Sequence, residues 1–167
     1  MLRSIDHIDP AYVRFENKTK RNIDVVWLDY NGVMVKYGTL CPEQYLDVDT
    51  FKTHPWIFID RLSGEKMVVR SKTVFFPVSM REIQERLRIT GNFRIPILIQ
   101  LPLFSLRQTC LHVLLSCLRD INDVENLGLP TNITEDLKKL NQDKESILAQ
   151  VSFRFHPGLP FSMFLFW

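Results

Sequence analysis

No stretch of this 167-residue sequence approaches the roughly 20 consecutive apolar residues of a membrane helix. The opening MLRSIDHIDP lacks an apolar h-region, so no secretory signal is expected. Charge of one sign is also missing. The 21 Lys and Arg stand against 19 Asp and Glu, a balance that leaves no electrostatic footprint for nucleic acid. Cysteine is sparse and odd in number: Cys41, Cys110 and Cys117 make no disulfide framework and fit reduced thiols in the cytoplasm or nucleus. His7, His54, His112 and His156 show no metal-ligand spacing with them. There is no Gly-rich phosphate loop, G-x-S-x-G or paired-carboxylate motif. A non-catalytic protein without metal or cofactor is therefore expected, and neither nucleic acid nor membrane is expected as a partner. Two sequons, at Asn17 and Asn132, are read as chance.

What is present is apolar material, 46% of the residues, enough for one good core or two small domains sharing an interface. Residues 10–77 read as β structure. "IDVVWLDYNGVMVKYGTL" alternates Val25, Trp27 and Asp29, then Val33, Val35 and Tyr37, around Asn31-Gly32. Asn-Gly between two such runs predicts a two-residue hairpin, because both turn residues must accept positive φ. "PWIFID", "RLSGEK" and "MVVRSKTVFF" repeat the strand–turn–strand pattern, with Gly64 at the turn. Pro42, Pro55 and Pro77 belong at edges or strand ends, since proline cannot donate to a ladder. Residues 79–92 read as a charged interruption, one helical turn or a long loop, and 93–102 as a final strand closed by Pro102.

From Ser105 the character changes. Ser105-x-x-Gln108 is a capping-box pattern, and Asn132-x-x-Glu135 repeats it before a second helix carrying Ile133, Leu137, Leu140, Ile147 and Leu148. The expected fold is mainly β: a β-sandwich domain over residues 1–101, a small α-helical domain over 102–150, and a tail, 151–167, that fits neither. The first helix is too apolar for its setting. Leu106, Cys110, Leu111, Val113, Leu114, Leu115, Cys117 and Leu118 spread over roughly 200°, about twice what a surface helix needs. A helical domain of about 45 residues cannot cover that arc, so another protein is expected to bury part of it.

Two motifs give the partner a shape. Ser105-Leu106-x-x-x-Cys110-x-x-x-Leu114 resembles an elongin-binding box, and Leu129-Pro130-x-x-Ile133-x-x-x-Leu137 resembles the cullin box that selects cullin-2. In that order, after a β domain with "LRS" at 2–4, "VWL" at 26–28, Tyr37, "TL" at 39–40, "HPW" at 54–56 and "LP" at 101–102, they resemble the von Hippel–Lindau tumour-suppressor family over residues 2–150. Members are substrate receptors of a cullin-2 ubiquitin ligase that read 4-hydroxyproline in hypoxia-inducible factor α.

The resemblance implies that Trp27, Tyr37, Thr50, His54 and Trp56 line a hydroxyproline pocket. The three aromatic rings would wall a prolyl ring, and Thr50 and His54 would supply the donor and acceptor its hydroxyl needs. It implies elongin C contacts, with elongin B alongside, through Leu103, Leu106, Cys110, Val113 and Leu114, and cullin contacts through Leu129, Pro130, Ile133 and Leu137. The family pattern is not kept everywhere. Thr50 stands for a serine, Phe51 for a tyrosine, Asp49 for a histidine, Asp6 and Ile8 for Asn and Arg, and Thr109 and Leu115 for arginines. Two alternatives follow: a paralogue that binds hydroxylated substrate but recruits the ligase poorly and so protects it, or an enzyme or small-molecule binding module built on a β-sandwich and unconnected with ubiquitin.

Overall fold

A computed structural model describes residues 2–151. Six strands form two three-stranded sheets: β1 (Pro10–Asn17), β2 (Ile23–Leu28), β3 (Met34–Leu40), β4 (Tyr45–Phe51), β5 (Trp56–Asp60) and β6 (Ile95–Ile99). One sheet has the order β4-β1-β6, the other β3-β2-β5. All pairings are antiparallel except β1 with β6. Phe15, Val25, Trp27, Trp56, Phe58 and Ile97 interdigitate between the sheets, the packing expected of a sandwich. Pro10 opens β1 and Pro96 sits on edge strand β6, where a missing donor does least harm.

The helices follow as α1 (Met80–Leu87), α2 (Leu106–Cys117), a 3-10 turn at Ile121–Leu127, and α3 (Thr131–Gln150). α1 lies between β5 and β6 in the chain, and the elements from α2 onward gather their own core around Leu111, Val124 and Leu137. The far end of α3 lies on the sandwich: Ile147 and Val151 pack on Val26, Leu28, Ile57 and Ile59. That is why β2 and β5 are buried at every position, while β1, whose outer face meets water, alternates. Gly64 (φ +72°) makes this docking close, since a Cβ there would come within 3.0 Å of the Lys144 backbone. Beside it, His112 Nε2 lies 3.2 Å from Glu65 Oε1.

Several local expectations are corrected. Asn31-Gly32 is not a two-residue hairpin. Residues 29–33 form a longer loop in which Asp29 Oδ1 accepts from the amides of Asn31 and Val33 (both 2.8 Å), so only Gly32 needs positive φ. The two-residue turn with both φ positive lies at Arg70-Ser71, closed by paired Val69 and Lys72 bonds of 2.9 and 3.0 Å. The stretch around it is no full strand, since residues 66–75 join neighbours only through isolated bridges. The charged interruption is a two-turn helix, α1, whose N-cap Ser79 accepts from the Glu82 amide. The Ser105 capping box forms with both bonds, but Asn132 caps nothing: α3 starts behind Pro130, with no side-chain cap. The tail from residue 152 lies outside the described residues.

Candidate ligand-binding site and partner face

β5 crosses the sandwich from β4 through the turn 52–55, and the question raised by "DTFKTHPWIFI" is answered by where that turn falls. Thr50, next to last in β4, is buried, His54 Nα–H donates to Phe51 O at 3.0 Å to tighten the turn, and Pro55 leads into Trp56, the first residue of β5. Trp27 pairs with Trp56 across β2 and β5. Tyr37 is placed by a β-bulge. Val25 pairs with Gly38 but Val26 pairs with Lys36, so Tyr37 is the extra residue.

These five residues come together. Tyr37 stands edge-on to Trp56 (4.9 Å) and to Trp27 (6.4 Å), and the His54 ring lies 5.3 Å from Trp27 at 35°. Trp56 Nε1–H donates to Thr50 Oγ1 at 3.1 Å, which leaves the threonine hydroxyl its own proton to donate. Trp27 Nε1–H donates to Ser4 Oγ at 2.8 Å, and Ser4 Oγ–H to Leu28 O at 2.7 Å, tying the N-terminal segment to the site. Trp27, Thr50, His54 and Trp56 are each under 8% exposed. Burial holds the His54 pKa below its ordinary 6.5, against an opposing backbone hydrogen bond and charge from Asp6, so the ring is neutral near pH 7. Burial likewise raises the Tyr37 phenol above its usual 10. The result is a wall of aromatic faces carrying neutral hydroxyl and imidazole groups, suited to a small apolar ring with one polar substituent.

Two residues of this cluster carried no weight in the sequence. Tyr30, in the loop 29–33, places its hydroxyl 3.2 Å from His54 Nε2 and its ring edge-on to His54 (5.5 Å) and Trp27 (5.8 Å). Ser4 entered only as part of "LRS". A tyrosine after a strand and a serine near the start have no local pattern; only the fold brings them here. Two clefts, of about 450 and 480 Å³, lie elsewhere, between Gly64 and α3 and between α1 and β6. Among the described residues no cluster of three potential metal ligands occurs, and no helix is long and apolar enough to cross a membrane.

The helical residues divide. Leu106 (80% exposed), Cys110, Val113 (56%) and Cys117 are all exposed and recur at i, i+4, i+7 and i+11, one straight stripe on α2, with fully exposed Leu103 just before the helix. Leu114 falls off the stripe. It is half-buried and packs with Leu111, Leu115 and Leu118 against α3. The residues of the cullin set lie mostly inward in the chain alone. Leu137 is fully buried in the helical core, Leu129 and Ile133 pack beside it, and of the four only Pro130 is exposed. At i+4 spacing the inward face of α3 was bound to be taken by its own core.

A two-sheet sandwich with this aromatic end, followed by a compact set of helices, defines the chain as a β domain of one particular type with a helical extension. Residues 2–83 match the VHL beta domain family. The chain is also similar to Protein Vhl of Drosophila melanogaster, 38% identical over 103 residues, covering 60% of this chain and 58% of the fly protein. Through its β domain the chain belongs to the VHL family. The family match ends at residue 83, before β6 and the helices α2 and α3, and the chain spans 58% of the length of the curated relative it matches.

Proposed function

We propose that the chain is the substrate-recognition subunit of a ubiquitin ligase, with no catalytic centre of its own. The observation that carries this is the meeting of Trp27, Tyr37, Thr50, His54 and Trp56, dispersed over 30 positions of sequence, at one end of the sandwich. In this reading the aromatic faces hold a 4-hydroxyprolyl ring of hypoxia-inducible factor α, and Thr50 and His54 exchange hydrogen bonds with its hydroxyl. A prolyl ring leaves those two buried groups without a partner, so one oxygen atom discriminates. The α2 stripe of Leu106, Cys110 and Val113, with Leu103, takes elongin C, with elongin B, and a cullin-2 scaffold follows. Such a complex would work in the cytoplasm and nucleus.

Ligase recruitment is favoured over the protecting paralogue by what Leu115 does. Its side chain helps fill the helical core, so the loss of an arginine there need not disturb the outward stripe. The test titrates the full chain with matched prolyl and 4-hydroxyprolyl peptides from the hypoxia-inducible factor. A preference of a hundredfold or more, about 2.7 kcal/mol, lost in His54→Ala, is expected. Equal weak binding of both peptides overturns the reading.

A further inference from the structure

We infer that Tyr30 tunes affinity at the site: its phenol occupies, in the free protein, the acceptor position on His54 Nε2 that a ligand hydroxyl takes over on binding. The inference rests on the hydroxyl-reading site described above and adds a built-in competitor to it.

Three rings surround the His54 imidazole: Trp27 at 5.3 Å, Phe51 at 5.1 Å and Tyr30 at 5.5 Å. Trp27 spends its N–H on Ser4, and Phe51 has no polar atom. Of these three rings, Tyr30 alone bonds the imidazole, with its hydroxyl 3.2 Å from Nε2. A neutral imidazole has one N–H and one lone pair. In the tautomer that carries its proton on Nδ1, the lone pair at Nε2 receives the Tyr30 proton. One lone pair accepts one good hydrogen bond. A ligand hydroxyl that donates to His54 must therefore displace the phenol.

Tyr30 is built to be displaced. It is 41% exposed and sits on the loop 29–33 rather than in a strand. The loop backbone is held by Asp29 Oδ1, so the side chain can turn outward about its own torsions while the main chain stays fixed. Once outside, its hydroxyl bonds water. A hydroxylated ligand thus replaces a hydrogen bond one for one, and a ligand without the hydroxyl displaces the phenol and puts nothing in its place.

Tyr30→Phe removes the hydroxyl and keeps the ring and both edge contacts, so melting should fall by no more than that one hydrogen bond accounts for. Titrated with the two peptides above, the variant should bind the 4-hydroxyprolyl peptide about three- to tenfold more tightly than the wild type, the size of one net hydrogen bond. Its affinity for the prolyl peptide should rise by the same factor, because that peptide displaces the same phenol. A merely structural Tyr30 gives the opposite sign, a loss for both peptides. Unchanged or weaker hydroxyprolyl binding by Tyr30→Phe, in a protein whose wild type prefers that peptide, overturns the Tyr30 inference alone. A wild type with no preference overturns the hydroxyl-reading site and takes this inference with it.

Discussion

At the strand ends Trp27, Thr50, His54 and Trp56 lie almost wholly inside, and the indole of Trp56, the hydroxyl of Thr50, the imidazole and the Tyr30 phenol bond one another. On α2, Leu106, Cys110, Val113 and Cys117 lie in the open, apolar and facing solvent. The two regions are finished in different ways. Groups at the aromatic end already have partners, so a ligand must exchange bonds, and exchange rewards chemical identity. The helix stripe has nothing to exchange. Its apolar surface gains simply by leaving water, which rewards area and shape. A site that reads one oxygen atom needs the first arrangement, and a constitutive attachment point needs the second.

The largest expected effect breaks the contrast within the helices. Leu137→Ala should cost about 2–5 kcal/mol, because its side chain is wholly buried in the small helical core. Leu106→Ala, on the open stripe, should change stability by no more than about 0.5 kcal/mol. Chemical denaturation of the two variants measures both, and equal losses would mean the stripe is already covered within the chain.

Next comes the opposite end of the sandwich, where β1 runs out beside Leu40. Fully buried Asn17 donates to Arg21 O (2.7 Å) and Leu40 O (3.0 Å) and accepts from the Thr19 amide (2.9 Å) and hydroxyl (2.7 Å). Asn17→Ala should cost about 2–3 kcal/mol, since it orphans several of these groups at once. The same burial leaves no room for a glycan at this sequon.

A smaller effect is expected from acid. Burial lowers the His54 pKa from 6.5, so the folded ring binds its proton less tightly than the unfolded one. The stability it contributes is therefore complete above about pH 6.5 and is lost as pH falls through the lower folded value. Melting curves between pH 7.5 and 5 should show this slope, and His54→Gln should flatten it. The smallest effect is a gain. Replacing Arg70-Ser71 by Asn-Gly relieves two left-handed residues without a glycine and should add about 1 kcal/mol.

Strands and helices were legible where one face of an element was decided by its own residues. β1 alternates because water lies on one side, and the Ser105 capping box forms because both partners are local. Reading failed where a distant element decided. β2 alternates in sequence around Trp27, yet Val26 and Leu28 are buried as well, because α3 returns 120 residues later to cover them. The charged segment 79–92 hid α1, since a helix that buries only Met80 leaves almost no apolar period to see. At the site, the resemblance pointed to five residues, and the structure adds Tyr30 and the bulge that turns Tyr37 inward. The α2 arc was legible as too apolar, but its division into an inner stripe through Leu111 and Leu114 and an outer one through Leu106 and Val113 needed the position of α3.

The most direct test of this division of labour compares the full chain with the double variant Leu106→Asp, Val113→Asp, each co-expressed with elongins B and C. Both proteins should melt alike when alone. The wild type should co-purify with the elongins and melt at higher temperature in the complex, by the linkage that stabilises any folded state a partner binds, while the double variant should stay apart. A wild type that melts identically with and without elongins, or a double variant that still binds them, would contradict the assignment of the open stripe as the attachment face.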